Sequence, residues 1–114
     1  MTPGAVTVYL ALGPVDLRGA FDQLAALTRH VLGLDPTSGA LFLFVNRRKN
    51  RLKALWYDQN GYTLLYKRLA RGTFPLPETS GSECACLEIS ADDFTRLLSG
   101  LSIEAAATGT RIFN

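Results

Sequence analysis

Hydrophobic and polar positions alternate in blocks along the chain, and the first blocks predict two strands separated by an amphipathic helix. Residues 6–12 are mostly β-branched, aromatic or aliphatic and are stopped by a Gly-Pro pair, which is typical of a strand. Apolar residues then recur every three or four positions over residues 17–32, and Asp16 is the expected N-cap of this helix. Residues 40–45 are apolar throughout, so we expect a central strand covered on both faces.

The middle of the chain predicts a β-hairpin. Residues 52–57 and 62–69 are strand-like, and an Asn60-Gly61 turn would place Lys53 opposite Arg68. One face should form part of the core and pack against the first helix. It carries Leu52, Ala54, Trp56, Thr63, Leu65 and Leu69, and Lys67 is its one charged residue. The other face is basic and aromatic, and it carries Arg51, Lys53, Leu55, Tyr57, Tyr62, Leu64, Tyr66 and Arg68.

The C-terminal third predicts a short strand and a short helix. Residues 87–89 are strand-like, Ser90 begins a capping box, and Gly100 ends the helix that follows. We therefore expect one α+β domain over residues 1–103, with a flexible tail over residues 104–114. Its elements follow a strand-helix-strand-strand-strand order, with a small, mostly antiparallel sheet, one main helix packed on it and a short C-terminal helix.

Composition agrees with a folded domain. Hydrophobic residues make up 47% of the 114 residues and charged residues 19%, a balance that excludes a disordered chain. No apolar run approaches the ~18 residues of a membrane span, and the N-terminus does not resemble a secretory signal. We therefore expect a cytoplasmic protein with no membrane partner.

The net charge of +2 conceals an uneven distribution. Residues 47–71 contain eight basic residues and one acidic residue, a net charge of +7, whereas the flanks together carry −5. Such a segment favours an anionic partner, either nucleic acid or an acidic protein surface. Solvated loops and strands that resist edge pairing also use these residues, so both the functional and the structural interpretation stay open.

The basic segment supplies the candidate site. We expect its arginines and lysines to contact the phosphates of DNA with little sequence preference, and Tyr66 to support them or to stack on a base. The candidate nucleic-acid-binding residues are Arg47, Arg48, Lys49, Arg51, Lys53, Tyr66, Lys67, Arg68 and Arg71.

The scarce residues argue against an enzyme. The one histidine, His30, falls at a predicted helix end, and the two cysteines, Cys84 and Cys86, lack the CxxC spacing of zinc and redox sites. No phosphate-binding loop or hydrolase motif is present. We therefore predict no catalytic residues, no metal and no cofactor.

Several short blocks, taken in order, resemble a known family. They are GPVDLR at 13–18, FDQL at 21–24, DPTSG at 35–39, LFLF at 41–44, NRR at 46–48, LKALWYD at 52–58, YKRL at 66–69 and LLSG at 97–100. Their order and spacing closely resemble the TnpB accessory protein of bacterial insertion sequence 66 elements, which is unrelated to the RNA-guided nuclease of the same name.

The resemblance implies an accessory factor for transposition. Such proteins are encoded beside a separate transposase that carries the acidic catalytic residues, and the family offers no agreed catalytic residues to transfer. The implied partners are DNA, the transposase and the sister accessory proteins of the element. Two hypotheses follow: a DNA-binding accessory protein, or a protein–protein adaptor whose basic face contacts the transposase or another accessory protein.

Overall fold

The computed structural model describes residues 6–77, 84–103 and 110–113, which form one sheet with a helix on each face. In chain order the elements are β1 (Val8–Ala11), α1 (Phe21–His30), β2 (Leu41–Val45), β3 (Arg51–Asp58), β4 (Gly61–Arg68), β5 (Cys84–Ile89), α2 (Ala91–Leu98) and β6 (Thr110–Phe113). The strand order is β4-β3-β2-β1-β5-β6. Only β1 and β2 pair in parallel, so the predicted α+β class with a mostly antiparallel sheet is confirmed.

The predicted central strand lies at the centre of the sheet. All five residues of β2 are buried, and β2 pairs with β1 on one side and β3 on the other. Parallel neighbours need a crossover between them, and α1 supplies it. The continuous apolar run of β2 therefore follows from cover on both of its faces.

Two hydrophobic clusters lie on opposite faces of the sheet. The α2-side cluster packs Leu97 of α2 against Leu52 and Ala54 of β3, and Phe74 completes it. The α1-side cluster packs Leu24 of α1 against strand residues that include Ala11, Phe42, Phe44, Leu55 and Cys86. The prediction that the Leu52–Ala54 face packs against the first helix was therefore wrong, because alternation assigns residues to faces without saying which helix covers each face.

The hairpin has a different register from the predicted one. Gly61 pairs with Asp58 inside the ladder, so Gln59 and Asn60 form the turn and Gln59 has a φ of 51°. This shift keeps every residue on its predicted face but places Lys53 opposite Tyr66 and not opposite Arg68. Cross-strand contact between the Tyr57 and Tyr62 rings, 5.1 Å between centroids and nearly perpendicular, accompanies this register.

Helix α1 begins later than its apolar spacing indicates. It starts at Phe21, and Ala20 occupies the N-cap position without a side-chain hydrogen bond. The prediction that Asp16 caps the helix was wrong, because its carboxylate accepts hydrogen bonds from Arg18 instead. Leu17 is buried from the loop before the helix, so its apolar character reflects burial and not helical periodicity.

The C-terminal elements combine a confirmed cap with an additional strand. The Ser90 hydroxyl accepts a hydrogen bond from the Asp93 amide at 3.0 Å, which confirms Ser90 as the predicted N-cap of α2. Thr110–Phe113 forms β6 against β5, where weak patterning predicted a flexible tail. The other residues of that tail lie outside the described residues, as does the side chain of Cys84.

Docking of α2 should contribute strongly to stability. Leu97 is fully buried in the α2-side cluster, so Leu97→Ala should lower the free energy of unfolding by about 2–5 kcal/mol, measured by chemical denaturation. Leu101, which is 49% exposed just beyond the helix, is the matched control, and Leu101→Ala should change stability by less than about 0.5 kcal/mol. Equal effects of the two substitutions would contradict this packing.

Candidate nucleic-acid interface

An open groove of about 770 Å³ lies at one end of the sheet, where β2 ends and β3 begins. Its walls are the loop before α1, the β2–β3 turn and the adjoining part of the hairpin. We call it the basic groove; it is lined by Pro14, Val15, Asp16, Leu17, Arg18, Asn46, Arg47, Arg48, Arg51, Lys53 and Tyr66. Five of these residues are basic and one is acidic, so the formal charge of the lining is +4.

The turn between β2 and β3 is held rigid by the side chain of Asn46. Its Oδ1 accepts hydrogen bonds from the amides of Asn50 and Arg51 at 3.1 and 3.0 Å. Its Nδ2 donates to Asn50 Oδ1 at 2.8 Å, which closes the turn from side chain to side chain. The turn therefore presents Arg47 and Arg48 to solvent from a fixed backbone.

Lys53 joins the sheet to the opposite wall of the groove. It is only 7% exposed, and its ammonium donates hydrogen bonds to the carbonyl oxygens of Leu17 and Gly19 at 2.5 and 2.7 Å. The same ammonium lies over the Tyr66 ring, 4.9 Å from its centroid. Lys53 therefore positions the loop and the aromatic ring, and its charge is already satisfied by carbonyl groups.

Asp16 and Arg18 form a local ion pair on the rim of the groove. The Arg18 Nη2 lies 2.6 Å from Asp16 Oδ2, its Nε lies 3.0 Å from both carboxylate oxygens, and its amide donates to Oδ1. These hydrogen bonds, above all those from the Arg18 side chain, lower the pKa of Asp16 to about 2. The Arg18 side chain is nevertheless 91% exposed, so the pair remains open to a competing anion.

Two arginines oppose each other where the hairpin leaves the cover of α1. Arg51 at the start of β3 pairs with Arg68 at the end of β4, and both are exposed. Like charges directly opposite on a sheet are unfavourable unless a counter-charge lies between them. This end of the hairpin is therefore suited to an anion.

The predicted site residues fall into three groups. The structure brings Arg47, Arg48, Arg51, Lys53 and Tyr66 together in the basic groove. Lys49, Arg68 and Arg71 lie at the same end of the sheet but do not line the groove, and the Lys49 carbonyl accepts from the Phe74 amide. Lys67 lies on the opposite face, where its ammonium donates to the Leu98 carbonyl at the end of α2.

The structure corrects the idea of a wholly basic and aromatic exposed hairpin face. Leu55 is fully buried under α1, and Lys53 is nearly buried beside the loop before α1. The other three side chains of this face, Tyr57, Tyr62 and Leu64, are half-buried. The exposed part of the face is therefore the end that carries Tyr66, Arg68 and Arg51.

Arg18 is a groove residue that the sequence interpretation did not include in the site. It lies 29 residues before Arg47 and belongs to the acidic N-terminal flank, so a charge count along the chain separates the two. The hydrogen bond from the Val15 amide to the Val45 carbonyl, at 3.0 Å, ties its loop to the end of β2. The sequence feature that involves Arg18 is its spacing of two residues from Asp16, and this spacing indicates only a local ion pair.

Within the described residues the structure contains no group of three or more histidine, cysteine or carboxylate side chains placed to hold a metal ion. The helices in the described ranges are too short and too polar to cross a membrane. Cys86 is buried in the α1-side cluster and has the packing role expected of a small apolar side chain.

Removal of the Lys53 ammonium should destabilise the loop wall. Lys53→Met would leave the Leu17 and Gly19 carbonyls without this donor, so we expect a loss of about 1–3 kcal/mol in the free energy of unfolding. Lys49→Met is the control, because Lys49 is exposed at the same end of the sheet and should change stability by less than about 0.5 kcal/mol. An unchanged free energy of unfolding in Lys53→Met would show that the hydrogen bonds from the Lys53 ammonium do not stabilise the fold.

The Asp16–Arg18 pair should be visible in a pH titration. The lowered pKa means that the pairing is complete above the ordinary value of 3.8 and is lost as pH falls through about 2. Carboxyl NMR shifts of Asp16 should therefore have a midpoint near 2, and Arg18→Gln should raise it, in part only because the residue 18 amide still donates. An unchanged midpoint in Arg18→Gln would contradict the pairing.

Comparison with known proteins places the chain in a family. The family model described as IS66 Orf2 like protein matches residues 6–108. Uncharacterized protein y4hO of Sinorhizobium fredii is 41% identical over 96 residues, which cover 84% of this chain and 81% of that protein. Uncharacterized protein y4jC of the same organism is 33% identical over 94 residues, 82% of this chain and 78% of that protein.

No solved structure matches the chain. The family match spans every described element from β1 to α2, and it therefore covers the whole basic groove. It confirms the resemblance seen in the sequence blocks and gives the chain an accessory role in transposition. The protein belongs to the family of IS66 Orf2-like proteins, the TnpB accessory proteins of IS66-type insertion sequences.

Proposed function

We propose that this protein is a non-catalytic DNA-binding accessory factor of transposition, and that it binds the DNA backbone in the basic groove. The observation that carries the proposal is the convergence on one open groove of Arg18, from the loop before α1, with Arg47, Arg48 and Arg51, from the β2–β3 turn and the start of β3. Side chains of like charge converge at a cost, which a polyanion would offset. The family supports the setting, because IS66-type elements move as DNA.

The arginines are the groups best placed to meet phosphate. Arginine offers a planar set of donors that matches phosphate oxygens, and it remains charged at every physiological pH. Lys53, by contrast, already donates to two carbonyl groups, so we assign it a positioning role. Contact with Arg68 and Arg71 would extend the bound strand along the same end of the sheet.

The same proposal places the protein in the cytoplasm, where the DNA of the element and the transposase would meet it.

Catalysis of strand transfer requires several carboxylates around metal ions. Asp16, the carboxylate in the groove lining, is already bound to Arg18. We therefore assign the chemistry of transposition to the separate transposase.

Salt dependence of binding tests the proposal. With fluorescently labelled element-end duplex DNA, the affinity should fall steeply with salt, with a logarithmic slope of roughly −0.9 for each phosphate contacted. Unrelated duplex DNA should bind nearly as well, far below the ~10³-fold discrimination of sequence-specific proteins. Failure to bind DNA of any form, or an affinity that does not change with salt, would overturn the proposal.

Two substitutions in the groove should act in opposite directions. Arg51→Gln should weaken duplex binding and reduce the salt slope by about 1, because one phosphate contact is lost. Asp16→Asn should strengthen binding, since it removes the negative charge of the groove and releases Arg18 from its ion pair. Fluorescence anisotropy at several salt concentrations measures both effects.

Arg29→Gln is the matched control for these variants. Arg29 is an exposed arginine near the end of α1 and does not line the groove, so its loss changes the net charge equally. Its substitution should leave the slope unchanged within error. If Arg29→Gln weakens binding as much as Arg51→Gln, binding follows net charge and the groove is not the site.

A second candidate function is a protein–protein adaptor for the transposase or a sister accessory protein. The observation that favours it is the position of β4 at the edge of the sheet, with Tyr66, Lys67 and Arg68 exposed at its end. An open strand edge with basic side chains suits an acidic extended segment. Co-purification with the transposase that survives nuclease treatment and is lost in a Lys67→Glu/Arg68→Glu double variant would favour this function.

A further inference from the structure

Tyr66 is the aromatic side chain of the groove and one of the exposed large hydrophobic side chains of the described residues. It is 51% exposed although it lies on a strand, opposite the buried Lys53. Its neighbours on the same face include Arg68, two positions along β4, and Arg51, diagonally across on β3. Residues at such positions lie within roughly 7–8 Å on a sheet, so cations surround the ring.

The ring is held in place before any ligand binds. The Lys53 ammonium lies over it at 4.9 Å from the centroid and is itself fixed by the Leu17 and Gly19 carbonyls. A cation–π contact of this kind orients the ring without covering the whole side chain. The exposed half of Tyr66 therefore forms a pre-oriented aromatic platform, and platforms of this kind in basic grooves bind unpaired bases.

We propose that the basic groove binds single-stranded DNA, with one unpaired base stacked on Tyr66 and the adjoining phosphates on Arg51 and the arginines of the β2–β3 turn. The inference rests on the proposed DNA-binding function and specifies its ligand. A paired base in a duplex has both faces covered by its neighbours and cannot stack on a side chain. Single-stranded ends or gaps are the form of DNA that exposes such a base.

Electrostatic attraction alone would favour duplex DNA over single-stranded DNA. Duplex DNA carries one charge for each ~1.7 Å of its axis, about twice the density of a single strand of the same rise. A groove that recognised only charge would therefore bind duplex more tightly than single strand at equal length. Tighter binding of the single strand would therefore indicate a contribution from the bases, and Tyr66 is the aromatic side chain in the groove lining that can supply stacking.

The experiment compares oligothymidylate with the oligothymidylate–oligoadenylate duplex of the same length, at the same salt, by fluorescence anisotropy. The unsubstituted protein should bind the single strand at least about 5-fold more tightly than the duplex. Tyr66→Leu should weaken single-strand binding by about 5- to 100-fold and change duplex binding by less than about twofold. Tyr66→Phe keeps the ring and should bind both within about twofold of the unsubstituted protein.

Tyr62→Leu is the matched control, because Tyr62 lies on the same face of β4 but outside the groove lining. It should leave the single-strand preference intact, and thermal unfolding of each variant verifies that it is folded. Duplex binding as tight as single-strand binding, or an equal loss of both in Tyr66→Leu, would overturn this inference and leave the proposed function standing. Binding of neither probe would overturn both.

Discussion

The candidate site depends on one nearly buried ammonium group. Lys53 lies near the start of β3, donates to two carbonyl groups of the loop before α1, and lies over the Tyr66 ring. An ammonium that is largely removed from water needs polar partners, and these two carbonyl groups and the ring hold the loop, the strand and Tyr66 in fixed relative positions. Arg18 follows Leu17 directly in that loop, so Lys53 also positions the segment that carries a second groove cation.

Cover by α1 divides one face of the hairpin into a core and a site. Along β3 the side chains on this face pass from Leu55, which is fully buried, to Lys53, which is nearly buried, and then to the exposed Arg51. The change from apolar to ionic follows the edge of the helix. On the other face, α2 and Phe74 cover the same strands, so the hairpin also has an apolar cluster that contains no residue of the groove lining.

Much of the fold was predictable from the sequence, because the central strand, both hairpin faces and the cap of α2 depend on local patterns. Three features were not predictable, because they depend on contacts between distant segments. They are the start of α1, the register of the hairpin and the helix that covers each face of the hairpin. Asp16 has a side chain typical of an N-cap, but the helix begins later and its carboxylate accepts hydrogen bonds from Arg18. Asn60-Gly61 is typical of a two-residue turn, but Gly61 pairs with Asp58 within the ladder. Part of the site was predictable, because the basic residues of the β2–β3 turn are adjacent in the sequence. Arg18 was not predicted, because only the folded loop before α1 brings it beside that turn.

The repulsion between arginines at one end of the sheet is small compared with the stability of a domain that has two apolar clusters. A directly opposed like-charge pair such as Arg51 and Arg68 costs roughly 0.2–1 kcal/mol, against a total stability of about 5–15 kcal/mol for a typical domain. Both arginines are exposed, so solvent and salt screen their repulsion further. With two apolar clusters holding the sheet, the protein can keep a surface that is mildly unfavourable alone and becomes favourable when an anion lies between the charges. Such an arrangement fits the proposed DNA-binding function, in which a phosphate supplies the counter-charge between the two arginines.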